Sequence, residues 1–208
     1  MFREVLRKVC EDLKHSVVGE AADGETAVEL VGETRPDLVL LDLHLPKVDG
    51  FGVLEQIRAG QPDVGVLVLS SHCDDFTVYR AERAGVQGFV DKNSNSIDSL
   101  KAAIRAVEAG KPAFSEMFRQ IQARRHKDPD AFDKVLGKRE QTIVALVGQS
   151  LRDDEIARRL GISEQTVATH RLHAIRKLGL SGTTELVRYA RDRGFTLAPP
   201  RNDDALLP

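Results

Sequence analysis

Hydrophobic and polar positions follow two different periods in the first half of this chain. Leu38-Val39-Leu40-Leu41 and Val66-Leu67-Val68-Leu69 are short, unbroken apolar runs. Such runs suit strands buried on both faces. With weaker runs at 16–21 and 88–90, they predict strands at 16–21, 37–42, 64–70 and 88–90. Segments with helical spacing of apolar residues lie between them, at 25–33, 52–59, 75–84 and 97–109. Strands alternating with helices predict a parallel sheet covered on both faces. Asp23-Gly24, Arg35-Pro36-Asp37 and Gln61-Pro62-Asp63 supply the turns.

The pattern changes after residue 115. Residues 116–132 are polar and basic, include Arg124-Arg125-His126-Lys127, and read as a linker with some helix and a solvated face. Four helical segments follow. In 138–148 the inward positions are Ile143, Val144 and Val147; in 153–160 they are Ile156, Ala157 and Leu160. Gly161 ends that helix and Ser163 can cap the next. Residues 164–178 place Val167, Ala174, Ile175 and Leu178 on one face. The opposite face carries Gln165, Thr166, Ala168, Thr169, Leu172, His173 and Arg176. A helix, a tight glycine turn and a helix with a polar outer face describe a helix-turn-helix. The last helix is expected over 183–193. The expected organisation is an α/β domain over 1–115, a linker over 116–136, a small all-α domain over 137–194 and a disordered tail over 195–208.

Composition narrows the class. The 208 residues are 41% hydrophobic and 30% charged, as in ordinary soluble domains. No apolar stretch is long enough to span a membrane, and the N-terminus lacks a signal-peptide block. Two cysteines, Cys10 and Cys73, form neither a disulfide framework nor a zinc motif. A cytoplasmic location is therefore expected. The overall charge of −2 hides an asymmetry: residues 1–115 hold 13 basic and 19 acidic groups, while 137–194 hold 11 basic and 7 acidic. A basic C-terminal part makes double-stranded DNA its expected partner.

Ligands of parallel sheets sit at the carboxyl ends of strands. Three polar residues fall there: Asp42 after Leu38–Leu41, Ser70 after Val66–Leu69, and Lys92 just after 88–90. A carboxylate can attack phosphorus, while a hydroxyl and an ammonium hold the phosphoryl oxygens. An ionised Asp42 buried at a strand tip would be costly without such partners. No other catalytic constellation is present, so an enzyme is not expected.

The segments Asp-Leu-His-Leu-Pro-Lys-Val-Asp-Gly from Asp42, the Leu69-Ser70 pair and Ala-Gly-Val-Gln-Gly-Phe-Val-Asp-Lys ending at Lys92 resemble a response-regulator receiver domain. The run from Asp154 through Leu180 resembles a LuxR-type DNA-binding domain, and together they resemble the NarL/FixJ architecture. The resemblance implies a doubly wound, flavodoxin-like receiver and a small helix-turn-helix domain. It makes Asp42 the phosphoacceptor, Ser70 and Phe89 the switch pair, Lys92 the phosphate-binding lysine, and His44 a residue that tunes dephosphorylation. It makes 164–177 the recognition helix, with Arg171, Arg176 and Lys177 as phosphate contacts and Thr166, Thr169 and Leu172 as base readers, beside Gln165, Ala168 and His173. It implies a sensor histidine kinase as partner, a homodimer when active, and Mg²⁺ as cofactor of the complete receiver.

The chain departs from the family in two places. Residues 2–7 resemble the helix that follows the family's first, central strand, so that strand and its Mg²⁺-binding acidic pair are missing. Glu11 and Asp12 lie more than two turns into this helix and cannot replace the pair. Asp42 would be the one remaining acidic metal ligand, weak alone, so tight Mg²⁺ binding is not expected. Two readings stay open: a misassigned start, or an atypical receiver that accepts phosphate slowly or not at all. In the second domain, Asp154, Gln165 and Ala168 stand where lysine is frequent, which predicts weaker DNA binding and a shallower salt dependence. A phosphorylation-independent DNA-binding regulator, or an interaction module that titrates a kinase or forms heterodimers, are the alternative functions.

Overall fold

The computed structural model describes residues 2–93 and 96–195. They form two compact units, one comprising the chain up to Cys73 with Arg80–Arg119, the other Asp74–Tyr79 with the chain from Gln120 onward.

The first unit is built on four parallel strands in sequence order: β1 (Leu38–Asp42), β2 (Gly65–Ser70), β3 (Gly88–Asp91) and β4 (Ala113–Phe114). The helices α1 (Phe2–Asp12), α2 (Gly24–Thr34), α3 (Gly50–Gly60), α4 (Asp75–Arg83) and α5 (Ile97–Glu108) alternate with them. Asp23, Asp49 and Ser96 each cap a helix by accepting a backbone N–H three residues on. Alternation along the strands sorts their side chains onto two faces. On one face, Leu67, Leu69 and Val90 join Val9 of α1 with Leu100, Ile104 and Val107 of α5. α3 contributes its own buried row, Phe51, Val53, Leu54 and Ile57. Buried Arg80 lies 4.0 Å above the Phe51 ring.

The strand expected at 16–21 is not formed. That segment has no assigned secondary structure, and Val18 is 52% exposed. A strand requires a ladder partner for its backbone groups, and β1 pairs only with β2 among the described residues. The same open edge leaves Leu38, Val39 and Leu40 half-buried, although their sequence is that of a central strand. β4, absent from the sequence expectation, is two residues long, too short to show a period.

The second unit is helical: α6 (Glu116–Lys127, from Gln120), α7 (Phe132–Val135), α8 (Lys138–Gly148), α9 (Asp153–Leu160), α10 (Glu164–Lys177) and α11 (Thr183–Asp192). Ile143, Val144, Val147, Ile156, Ala157, Val167, Ala174 and Ile175 form its core, with Leu160 and Leu178 packed at the margin. This is the inward set expected from the periodicity. Gly161 takes a left-handed conformation, φ +63°, and closes α9; a side chain there would be strained.

Two expectations fail here. The basic run is not wholly solvated: Arg125 is buried, donates to Asp133 at 2.6 Å and lies 5.3 Å above the Tyr79 ring. Phe195, expected to begin a disordered tail, is fully buried and stacks on Phe76 at 4.0 Å and edge-on to Phe132 at 4.9 Å. The remaining tail, 196–208, lies outside the described residues.

Candidate phosphoryl site and nucleic-acid interface

Parallel register brings the three strand-end residues together. Asp42 ends β1 opposite Leu69, and Ser70 ends β2 opposite Asp91. Lys92 follows β3, and its backbone N–H donates to the Ser70 carbonyl at 2.9 Å. The Lys92 Nζ donates to Asp42 Oδ2 at 2.5 Å, and the His44 backbone N–H donates to Asp42 Oδ1 at 3.0 Å. Asp42 is not buried as expected: its side chain is 30% exposed, with Lys92 at 17%. The carboxylate is therefore half-buried, with an ammonium beside it.

The loop after β1 folds back tightly. The Gly50 N–H donates to the Leu43 carbonyl at 3.0 Å, and a Cβ on Gly50 would lie 2.3 Å from the Asp42 carbonyl oxygen. Glycine is thus required to hold that loop under the site. Ser70 is fully buried; its hydroxyl donates to the His72 carbonyl at 2.9 Å and accepts the His72 N–H at 3.1 Å. The His44 and His72 rings lie 4.6 Å apart at 39°, a pairing with no linear signature in the sequence. Phe89 is fully buried against Phe118, with ring centroids 5.2 Å apart. The Lys92 ammonium also lies 4.5 Å above the Phe2 ring.

These residues do not form a tight cage for a hard divalent cation. Mg²⁺ favours several oxygen ligands in near-octahedral order. At this site both Asp42 oxygens already have donors, and among the described residues no group of three His, Cys, Asp or Glu side chains could hold a metal. Asp12 instead pairs with Lys101 at 2.7 Å.

In the helical unit, Ser163 caps α10 by accepting the Thr166 N–H at 3.1 Å. α8 and α9 begin at Gly137 and Arg152, without a side-chain cap. The side chains of Glu140 and Glu155 reach back to accept the Gly137 and Arg152 N–H groups, each at 2.8 Å. Gln165, Thr166, Thr169, Leu172, Arg176 and Lys177 are exposed along α10, with Ala168, His170 and His173 half-buried.

Two cations expected to touch DNA phosphates are engaged within the unit. Arg171 donates to Asp153 at 2.7 Å and to the Thr183 hydroxyl at 2.5 Å, joining α10 to α9 and α11. Lys177 donates to Glu140 at 2.7 Å. Burial raises the Glu140 carboxyl, but Lys177 and the Gly137 N–H outweigh it and hold its pKa below the ordinary value. Asp154, expected to repel DNA, is paired with Arg158 at 2.9 Å. The pairs of Arg171 and Lys177 join different helices and have no linear signature, whereas Asp154–Arg158 is an i,i+4 pair within α9, a spacing the sequence displays.

Residues 1–105 match the family "response regulator receiver domain", and residues 134–190 match "bacterial regulatory proteins, luxR family". The Fimbriae Z protein of Salmonella typhimurium is 34% identical over 84% of this chain and 83% of its own length. The response regulator protein VraR of Staphylococcus aureus shows the same identity and the same coverage. Among solved structures, RcsB from Salmonella enterica serovar Typhimurium, bound to a promoter in the presence of the phosphomimetic BeF3⁻, is 23% identical with a TM-score of 0.66, over 90% of this chain and 92% of that one. That likeness is one of fold. No helix among the described residues is long and apolar enough to cross a membrane.

Proposed function

Since this chain belongs to the response regulators that join a receiver domain to a LuxR-type DNA-binding domain, we propose that Asp42 is its phosphoacceptor and α10 its DNA-reading helix. The family acts as DNA-binding transcriptional regulators rather than as enzymes, and its receivers typically use Mg²⁺. The observation that carries the assignment is the convergence of Asp42, Ser70 and Lys92 at adjacent strand ends, with Lys92 on the Asp42 carboxylate.

An Asp42 oxygen attacks the donor's phosphorus, the bond to the leaving group breaks, and the leaving group departs with its electron pair. Lys92 then follows the new negative charge onto the phosphoryl oxygens, and Ser70 exchanges its bond to the His72 carbonyl for one to the phosphoryl group. Phe89 is fully buried against Phe118 and would be the aromatic partner of that switch. Asp42 would hold a Mg²⁺ ion only weakly, since no group of three ligating side chains surrounds it among the described residues. The kinase that serves the domain is a sensor histidine kinase, and the DNA-bound form is a homodimer on two half-sites about one helical turn apart.

The test is labelling of the full chain by phosphoramidate, read as the mass gain of a phosphoryl group, with and without Mg²⁺. The expected result is slow labelling, weakly stimulated by the metal and abolished in Asp42→Asn. Equal labelling of that variant would move the phosphoacceptor elsewhere. The Lys92 ammonium already paired with the Asp42 carboxylate also supports a second reading, a regulator that binds DNA without phosphorylation. A DNA shift assay unchanged by phosphoramidate would favour it.

A further inference from the structure

Leu172 is 59% exposed in the middle of α10. Among the described residues of the second unit, it is the large apolar side chain that stays in solvent, while a core of sixteen buried residues, Val167 and Phe195 among them, closes beneath. Its neighbours on the same face have turned their polar atoms away. The Thr169 hydroxyl donates to the Gln165 carbonyl at 2.8 Å, back along its own helix. The Thr166 hydroxyl pairs with the Ser163 hydroxyl at 2.8 Å in the helix cap. Each hydroxyl already has a partner within the helix, so the threonine methyl groups add to the apolar character that Leu172 gives the face. Thr166, Thr169 and Leu172 stand three residues apart and so form one ridge, with Ala168 beside it. Of the three long cations near Leu172, Arg171 and Lys177 are drawn off by Asp153 and Glu140, and Arg176 stands at the C-terminal end of the face. The centre of the helix face is therefore a row of methyl groups, flanked by Gln165 at one end and by His173 and Arg176 at the other.

We propose that this ridge reads thymine through its C5-methyl group, with Leu172 as the specificity-determining residue. The proposal rests on α10 lying in the major groove. In unmodified DNA the C5-methyl of thymine is the apolar group displayed there, whereas guanine presents acceptors that call for arginine or lysine. Thr169 and Leu172 are about 4.5 Å apart along the helix axis, close to one base-pair step of about 3.4 Å. They therefore meet neighbouring base pairs, and each half-site is expected to place a thymine against Leu172. The shared chemistry is a pyrimidine C5-methyl, which 5-methylcytosine also carries; thymine is the source assigned.

The test begins with selection of bound duplexes from a random pool by the full chain, with and without phosphoramidate. The enriched half-site should contain an invariant thymine. Replacing that thymine by deoxyuridine removes one methyl and keeps every hydrogen-bonding group. Binding should weaken about fourfold, the value of one buried methyl. Leu172→Ala should bind the thymine site about tenfold more weakly and bind the thymine and deoxyuridine sites alike. Leu172→Lys should shift the enriched base toward guanine. Enrichment of a guanine-centred site, or equal binding of thymine and deoxyuridine sites by the native chain, overturns the proposal and leaves the DNA-reading helix standing. Tighter binding of a 5-methylcytosine site than of the thymine site also overturns it, in favour of methylated DNA. A pool in which nothing enriches overturns the DNA-reading assignment of α10 and the proposal with it.

Discussion

Asp42 and Arg171 are both charged residues, and their partners set them in different surroundings. Asp42 is half-buried with Lys92 beside it, a setting that suits its proposed role as phosphoacceptor. Arg171 is only 21% exposed and is bonded to two other helices, which suits a group that fixes an angle. Arg171→Ala should therefore destabilise the helical unit by about 1–2 kcal/mol through lost charge-assisted hydrogen bonds and weaken DNA binding with little change in salt dependence. Arg176→Ala should leave stability intact and lower the salt slope by about one. Thermal unfolding and binding isotherms across salt concentration separate the two. Glu140 gives a pH prediction. Its native pKa lies below the unfolded value, so the native state binds fewer protons. Its contribution is fully present above about pH 4.3, the ordinary glutamate value, and is lost as pH falls through the lower native pKa. The stability gap between the native chain and Glu140→Gln, measured by denaturant titration, should be widest at neutral pH and shrink in acid.

At the scale of elements, most helices were legible because each carries its own evidence: a cap, a period and a stop. α8 and α9 have the bounds their apolar spacing predicts, even with glycine and arginine at the N-caps. Strands carry less. Residues 37–42 and 16–21 are both apolar enough for a sheet, yet only the first finds a hydrogen-bonding partner, β2. A strand exists by pairing, and pairing is not a property of its own residues. Amide exchange should show the difference. The N–H groups of 16–21 are expected to exchange far faster than those of Val66–Leu69, which are buried and paired on both sides. Protection of 16–21 equal to that of β2 would mean that the segment is paired in solution.

At the scale of the molecule, the divisions of the chain differ from the divisions of the fold. The sequence places a boundary at the basic linker, whereas Asp74–Tyr79 of α4 cluster with the helical unit. The reason is chemical. Phe76 sits among Phe132, Phe195 and Tyr79, and Asp75, buried, accepts from Arg124 at 2.8 Å and Arg193 at 2.6 Å. Residues from α4, the linker and the last described turn thus share one core. Phe195→Ala should cost about 3–5 kcal/mol of stability, against a small effect if 195 belonged to a free tail. Unfolding of that variant followed by tyrosine fluorescence, which reports Tyr79 and Tyr189, would measure it.

The sequence by itself determined most of the periodic elements, the strand-end placement of Asp42, Ser70 and Lys92, and the helix-turn-helix with its inward face. These depend on residue type and short spacing, which a linear chain displays. Tertiary structure decided which strand was completed, which cations were paired with carboxylates, and that Phe195 and Arg125 are interior. Those outcomes depend on what stands opposite a group in space. A backbone donor, an arginine or an aromatic ring takes its role from the partner it meets, and partners far apart in the chain have no local signature.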